Sequence, residues 1–299
     1  MGSAFDVNPW IRILRPGNGA ISLAGTLIGG LSVVGVGSVG GPAGWGALLL
    51  AGLTTFLVTS GGNVLNDYLD QEGDRVNHPD RPLVTGEVTP EGARTYARIL
   101  LGVSPFPLVA AAGLEILYRG ESPGSLLLPV SIWALAVALL LAYEFRWKAR
   151  GLLGNATVAL LTGVVFLFGA SVTGHPSLAL PWTAMATLST LSREVIKDME
   201  DRLGDVGRTT LPRARGNQVA GRVARGSVLA AILLSPLPLL YWLPLHSAAG
   251  IMYALLVLGS DVVFLMSVWW LPERLHREQG LSKVAMILAL GAFLGASLR

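Results

Sequence analysis

Residues 66–82 read Asn-Asp-Tyr-Leu-Asp-Gln-Glu-Gly-Asp-Arg-Val-Asn-His-Pro-Asp-Arg-Pro and follow a long apolar segment with almost no charge. A second segment, Asp198-Met-Glu-Asp-Arg-Leu-Gly-Asp205, repeats the pattern Asp-x-x-Asp-x-x-Gly-Asp 131 residues later. Carboxylates at i, i+3 and i+7 lie within about 60° of one another on a helix, where like charges repel unless a cation lies among them. Mg²⁺ takes carboxylate oxygens and often shares them with substrate phosphates. Two copies in one register therefore favour a metal site over two solvated acidic turns.

Glycine precedes the third aspartate of each copy, at Gly73 and Gly204. Glycine is common just past the C-terminus of a helix because it tolerates a left-handed backbone. We therefore expect Asp74 and Asp205 in the loops that follow two helices, with the earlier aspartates on the last helical turns.

Composition indicates an all-α, polytopic membrane protein. The 299 residues are 52% hydrophobic and 14% charged, and the apolar residues form blocks of about 20, the length that spans a bilayer as a helix. The 37 glycines suit helices that pack closely within a membrane. This hydropathy excludes a soluble helical isoprenoid synthase, and the absence of a dense basic tract argues against nucleic acid as a partner.

The apolar blocks predict about nine transmembrane helices in one domain, residues 1–299. The predicted spans are 18–36, 43–66, 92–113, 124–144, 152–173, 177–197, 218–243, 248–270 and 282–298. With the N-terminus inside, the inner segments hold 20 of the 22 Lys and Arg residues, a strong positive-inside bias. Both acidic motifs are then cytoplasmic and the C-terminus lies outside the cell membrane.

The motifs end the second and sixth predicted spans, which indicates a parallel repeat of four helices. Equivalent helix ends in such a repeat can face each other across a central cavity. A secondary transporter of an anionic solute is an alternative of another class. Transporters, however, commonly carry inverted repeats with charges near the midplane, whereas these acidic clusters lie at one face.

The two motifs, at 66–82 and 193–212, resemble the signatures of the UbiA superfamily of intramembrane prenyltransferases. Shorter matches are Arg15-Pro16-Gly-Asn18, Tyr143 to Lys148 with Gly154-Asn155, and Thr210-Leu211-Pro212. The resemblance covers nearly the whole chain and implies nine helices around a central cavity, with a prenyl diphosphate and Mg²⁺, as a pair of ions, between the motifs. The form Arg193-Glu-x-x-Lys-Asp-x-Glu-Asp201 is most like the archaeal branch that makes digeranylgeranylglyceryl phosphate. Many relatives have Tyr-Ser where this chain has Tyr143-Glu144.

The oxygen donors of the two motifs are the candidate catalytic and metal-binding groups. They are Asn66, Asp67, Asp70 and Asp74 from the first motif and Asp198, Asp201 and Asp205 from the second. Phosphate oxygens that are not on metal need cations, with Arg suited to bidentate contact and Lys to a point charge. The candidate substrate-binding residues are Arg15, Asn18, Asn66, Arg75, Arg81, Tyr143, Lys148, Asn155, Lys197 and Arg208.

The expected reaction is Mg²⁺-dependent transfer of a prenyl group, with geranylgeranyl diphosphate as donor, to a membrane-accessible acceptor. The second motif favours geranylgeranylglyceryl phosphate as that acceptor, with release of pyrophosphate by way of an allylic carbocation. An apolar cavity would shield the cation from water. The alternative acceptor is an aromatic compound such as 4-hydroxybenzoate, whose ring carbon would attack instead of a hydroxyl oxygen.

Overall fold

A computed structural model describes residues 8–201 and 209–299, and these residues contain helices and turns but no strand. The α-helices are α1 Pro9–Arg12, α2 Pro16–Val34, α3 Gly41–Leu69, α4 Gln71–Asn77, α5 Pro90–Val103, α6 Pro105–Arg119, α7 Leu127–Ala142, α8 Leu152–Val172, α9 Leu180–Glu200, α10 Leu211–Leu234, α11 Leu237–Tyr241, α12 Ala248–Trp269 and α13 Leu275–Ala296. The predicted all-α class is confirmed.

Eight helical segments of the described chain are long and apolar enough to cross a membrane. Three of them are composite, because α5 continues into α6, α10 into α11, and α7 into a π-helical turn at Tyr143–Trp147. The remaining predicted span, 177–197, corresponds to α9, which does not meet the apolar criterion because its second half carries Arg193, Glu194, Lys197 and Asp198. The polytopic membrane class is thus confirmed, whereas the number nine is not.

The helix α9 nevertheless lies inside the bundle, packed against α8, α10 and α13. Its buried face is mainly apolar, with Trp182, Val195, Ile196 and Met199 each at most 2% exposed. Arg193, Glu194, Lys197 and Glu200 of this helix line the central cavity instead. A helix that lines a polar cavity can keep charges at membrane depth that a lipid-facing helix cannot.

Close contact between α2 and α8 sets the spacing of the helices that carry the site. A Cβ atom built on Gly169 would lie 1.9 Å from the carbonyl oxygen of Thr26, and one built on Gly29 would lie 2.3 Å from that of Phe166. No side chain larger than hydrogen fits at either position. The two backbones therefore touch, as small residues permit in membrane bundles.

An aromatic cluster closes the bundle at the end away from the acidic motifs. The ring of Trp182 lies 4.6 Å from that of Phe293 and 5.3 Å from that of Tyr253, between centroids. Trp182 and Tyr253 are completely buried. Because this end is filled with rings, the space between the helices opens toward the other end, where α3 and α9 stop.

Candidate active site

The helices enclose a cavity of about 1460 Å³, lined by residues of both acidic motifs. Asp70 and Asp74 contribute to its wall from the first motif, and Lys197 and Asp201 from the second. Deeper along the same cavity the wall is largely apolar, and it reaches Phe293 of the aromatic cluster. The volume exceeds the roughly 300–1,000 Å³ of a pocket for a drug-sized ligand. The structure therefore brings the two motifs to one charged end of one long cavity.

The first motif changes direction at Asp70. The helix α3 ends at Leu69, Asp70 has φ −95° and ψ 12°, and the chain re-enters a helix at Gln71 as α4. Asp74 lies in α4, so the expectation of a loop at this position was wrong. The amide of Asp74 donates to the carbonyl of Asp70 at 2.9 Å, and this second helical turn aims both carboxylates into the cavity. Gly73, expected to stop α3, is instead inside α4.

Asp67 and Asp74 share one guanidinium. Arg81 Nη1 lies 3.2 Å from Asp67 Oδ1 and also pairs with Asp74 Oδ2, and Arg15 pairs with Asp67 from the start of α2. Asp67 is only 2% exposed and stands behind the cavity wall. Charges this deep require close partners, and two arginines balance two carboxylates here.

A second network joins the first motif to the π-helical turn after α7. Lys148 Nζ lies 2.5 Å from Asp70 Oδ2 and 3.1 Å from Glu144 Oε2. Asn66 Nδ2 donates to both oxygens of Glu144, at 3.1 and 3.3 Å. The wider π turn, a feature that is frequent at functional sites, carries Tyr143 and Glu144 onto the cavity wall. Sequence reasoning assigned no role to Glu144, although a lone acid near the end of an apolar span and four residues before Lys148 was a usable signal.

The second motif is held by α8. Asn155 Nδ2 donates to Asp198 Oδ2 at 2.7 Å, which fixes the carboxylate next to the cavity. Lys197 lines the cavity and makes no hydrogen bond or ion pair with any residue that the structure describes. One turn deeper, Arg193 pairs with Glu194 at 2.8 Å. Asp205 and Arg208 lie outside the described residues.

The remaining predicted residues divide into two groups. Asn18 and Tyr143 line the cavity with Arg15, Asn66, Arg81 and Lys148. Asp67, Asp198 and Asn155 are not on its wall. Arg75 is also absent from the wall and is exposed on α4. The helical turn that points Asp74 inward points its neighbour Arg75 outward, and substrate contact by Arg75 stays a prediction.

The oxygen donors suit Mg²⁺ without forming a complete cage. Within residues 8–201 and 209–299, no group of three or more Asp, Glu or His side chains is close enough to hold a metal ion alone. Mg²⁺ usually keeps several waters and binds through one or two carboxylates together with substrate phosphates. Carboxylates on both sides of the cavity, from Asp70 and Asp74 and from Asp201, fit that mode of binding.

Fold and cavity together define a polytopic membrane enzyme with a charged pocket at one end of an apolar chamber. Residues 23–291 match the UbiA prenyltransferase family. The chain belongs to this family, and the predicted class of enzyme, one that transfers prenyl groups, is confirmed.

Relatives and solved structures match over nearly the full length. The digeranylgeranylglyceryl phosphate synthase of Halobacterium salinarum is 38% identical over 289 residues and 95% of each chain. That of Methanothermobacter thermautotrophicus is 34% identical, over 97% of this chain and 96% of the relative. A solved structure described as digeranylgeranylglyceryl phosphate synthase superposes with a TM-score of 0.75 at 26% identity, covering 97% of this chain and 98% of the other. A UbiA homolog from Archaeoglobus fulgidus bound to GPP and Mg²⁺ gives 0.68 at 18% identity over 97% and 99% and supports the fold.

Proposed function

We propose that this protein transfers the geranylgeranyl group of geranylgeranyl diphosphate to the free hydroxyl of geranylgeranylglyceryl phosphate. One structural observation carries the proposal: both acidic motifs line the charged end of a single cavity whose remainder is largely apolar. Such a cavity suits substrates with an anionic head and a hydrocarbon tail. The names of relatives that are 34–38% identical over 95% or more of the chain support the same acceptor.

The charged end is the proposed site of the donor diphosphate. Asp70, Asp74, Asp198 and Asp201 would hold Mg²⁺, with Asn66, Asp67 and Asp205 in the same motifs. When bound, the metal neutralises the diphosphate and makes it a better leaving group. Arg81 and Lys148, now paired with these carboxylates, are placed to donate to phosphate oxygens, and Lys197 is a further cation on the wall. When the diphosphate binds, a phosphate oxygen would thus take the place of a carboxylate as the anionic partner of Arg81 and of Lys148.

The apolar part of the cavity holds the prenyl chain and protects the reacting carbon. The allylic C1–O bond breaks with its electron pair on the diphosphate oxygen, which leaves a carbocation. Trp133 and Phe168 on the wall offer ring faces near hydrocarbon, and aromatic faces stabilise cations. Exclusion of water prevents hydrolysis before the acceptor attacks.

The acceptor hydroxyl oxygen then forms the new C–O bond, and its proton passes to a carboxylate on the cavity wall. Glu194 suits this role because it lines the cavity one turn deeper than Asp198. General-base assistance of this kind typically contributes about 10²–10⁴-fold in rate. An aromatic acceptor would attack through a ring carbon and would not need a base before bond formation.

The charged end faces the cytoplasm in this proposal, with the C-terminus outside. The support is the distribution of Lys and Arg, since 20 of 22 fall on the segments at that end of the predicted topology. Water-soluble pyrophosphate would leave toward the cytoplasm, while the lipid product would leave into the bilayer.

The experiment is an acceptor panel assayed against one radiolabelled geranylgeranyl diphosphate with purified protein and Mg²⁺. We expect label in an extractable lipid with geranylgeranylglyceryl phosphate and none with 4-hydroxybenzoate. The Asp201→Asn variant should be inactive while retaining the thermal stability of the wild type. Label transferred only to the aromatic compound would replace the lipid acceptor with the aromatic one. Solute uptake by vesicles without any turnover would favour a transporter.

A further inference from the structure

Lys283 is a cation at the start of the predicted span 282–298, and the structure places it inside α13, which begins earlier, at Leu275. It lies eight residues after Leu275, the first residue of α13, which is about 12 Å along the helix. A hydrogen bond between α12 and α13 fixes the position of Lys283 along the bundle, because Ser260 Oγ of α12 donates to the carbonyl of Ala285 in α13 at 2.9 Å. Trp270, stacked under Arg274 at 5.0 Å, lies near the start of α13. Lys283 is therefore about two turns deeper than this interfacial pair.

The side chain of Lys283 is exposed, and it lines the same cavity as the acidic motifs. No hydrogen bond or ion pair connects it to any residue among 8–201 and 209–299. Arg15, Arg81 and Lys148 on the same wall each pair with a carboxylate. An unpaired charge at membrane depth is costly, and charges there commonly mark substrate or ion pathways.

Two carboxylates that line the same cavity, Glu194 and Asp261, already have other partners. Asp261 accepts a hydrogen bond from Ser235 Oγ at 2.7 Å, and Glu194 pairs with Arg193. On α9, which packs against α13, the Oγ1 atom of Thr190 is buried and has no hydrogen-bond partner within the described residues, although Thr190 lines the cavity. An ammonium on α13 and a hydroxyl on α9, two helices that pack against each other, thus lack partners within the part of the chain that the structure describes.

We propose that Lys283 forms an anion subsite deeper than the acidic motifs and that it binds the phosphate monoester of the glyceryl acceptor. This inference rests on the proposed function. The acceptor hydroxyl must approach the allylic carbon on the side away from the departing diphosphate, which is the membrane side. Its own phosphate, a few bonds from the hydroxyl, then needs a cation beyond those that hold the donor. A lysine on a flexible stem provides a point charge that follows a headgroup as it enters.

The test compares Lys283→Gln with wild type on geranylgeranylglyceryl phosphate and on geranylgeranylglycerol, which lacks the phosphate. Loss of one hydrogen-bonded charge contact should raise the KM for the phosphorylated acceptor about ten- to a hundredfold. The KM for geranylgeranyl diphosphate and the activity on the alcohol should stay within about twofold. Preference for the phosphorylated acceptor therefore collapses in the variant. Arg277→Gln is the matched control, because Arg277 is an exposed cation on the same helix and is not on the cavity wall.

Binding of the acceptor alone, by isothermal titration in detergent, gives a readout without turnover and should weaken by the same factor. Lys283→Arg should restore most of the affinity. An unchanged acceptor KM, or an equal rise in the donor KM, would overturn the subsite while leaving the proposed function intact. Recovery of acceptor binding in the double variant Lys283→Gln/Asp261→Asn would overturn it as well, since Lys283 would then serve only to balance Asp261. A wild-type protein inactive on every glyceryl acceptor would overturn both proposals together.

Discussion

Replacing Arg81 with methionine should destabilise the protein measurably, apart from any effect on turnover. Arg81 bridges Asp67 and Asp74, and its side chain is only 19% exposed. Breaking a buried ion pair by removing one partner costs about 3–5 kcal/mol, because a charge is left without compensation. Arg15 still neutralises Asp67 in the variant, so only Asp74 loses its ion pair. We therefore expect a loss at or just below the lower end of this range, about 2–3 kcal/mol, because Asp67 keeps a partner.

The matched control is Arg12→Met, which removes an ion pair with Glu87 at 2.7 Å whose side chains are 34% and 37% exposed. Exposed pairs contribute about 0–1 kcal/mol. Thermal unfolding in detergent without substrate or metal should place Arg81→Met roughly 5 °C below wild type, at about 2 °C per kcal/mol, and Arg12→Met within about 2 °C. Adding Asp74→Asn to Arg81→Met should recover part of the loss, as coupled partners do. Equal stabilities of Arg81→Met and Arg12→Met would refute the inference that the first motif depends on its counter-ions.

Three further outcomes are expected. Gly169→Ala should lower the melting temperature strongly because its Cβ would lie 1.9 Å from a carbonyl oxygen of α2. The control Gly226→Ala has open space around its Cβ and should be neutral or stabilise the protein by up to about 1 kcal/mol. Equal effects of the two substitutions would contradict the close contact of α2 and α8. Asn155→Leu should lower kcat about tenfold by releasing the carboxylate of Asp198 from a hydrogen bond of 2.7 Å, and an unchanged kcat would remove Asn155 from the site. Chelation with EDTA should stop product formation and added Mg²⁺ should restore it, while full activity in EDTA would exclude a metal role.

Much of the fold was predictable because membrane helices depend on local composition. Blocks of apolar residues predict spans directly, and most of the observed helices fall on the predicted ones. The segment α9 falls on the predicted span 177–197, although its charged second half keeps it from meeting the apolar criterion that eight other described segments meet. Its place in the bundle comes from packing against three other helices, which sequence hydropathy does not contain.

The partners of the acidic residues were not predictable from spacing. Arg15 pairs with Asp67 across 52 positions, and Lys148 with Asp70 across 78. Periodicity predicts which residues share a helical face, but it cannot predict which distant helix supplies a counter-ion. Spacing also did not predict the second helix after Asp70: Asp74 was expected in a loop beyond α3, whereas it lies in α4.

Glu144 and Lys283 show a related difficulty. Both lie near the ends of apolar spans, where a charge in the sequence reads as an interfacial anchor. In the structure, a functional charge differs from an interfacial anchor in two ways: whether its side chain lines the cavity and which side chains it bonds to. Glu144 accepts hydrogen bonds from Asn66 and Lys148. Lys283 lines the cavity and makes no hydrogen bond or ion pair with any described residue.

The central claim is that both acidic motifs hold the diphosphate of a single donor. The most direct measurement is an experimental structure with Mn²⁺ in place of Mg²⁺ and a non-ionising thiolo analogue of geranylgeranyl diphosphate, with the metal located by anomalous scattering. We expect metal and diphosphate between Asp70 and Asp74 on one side and Asp198 and Asp201 on the other, with the prenyl chain directed toward Phe293. A diphosphate bound by one motif alone, or outside this cavity, would contradict it.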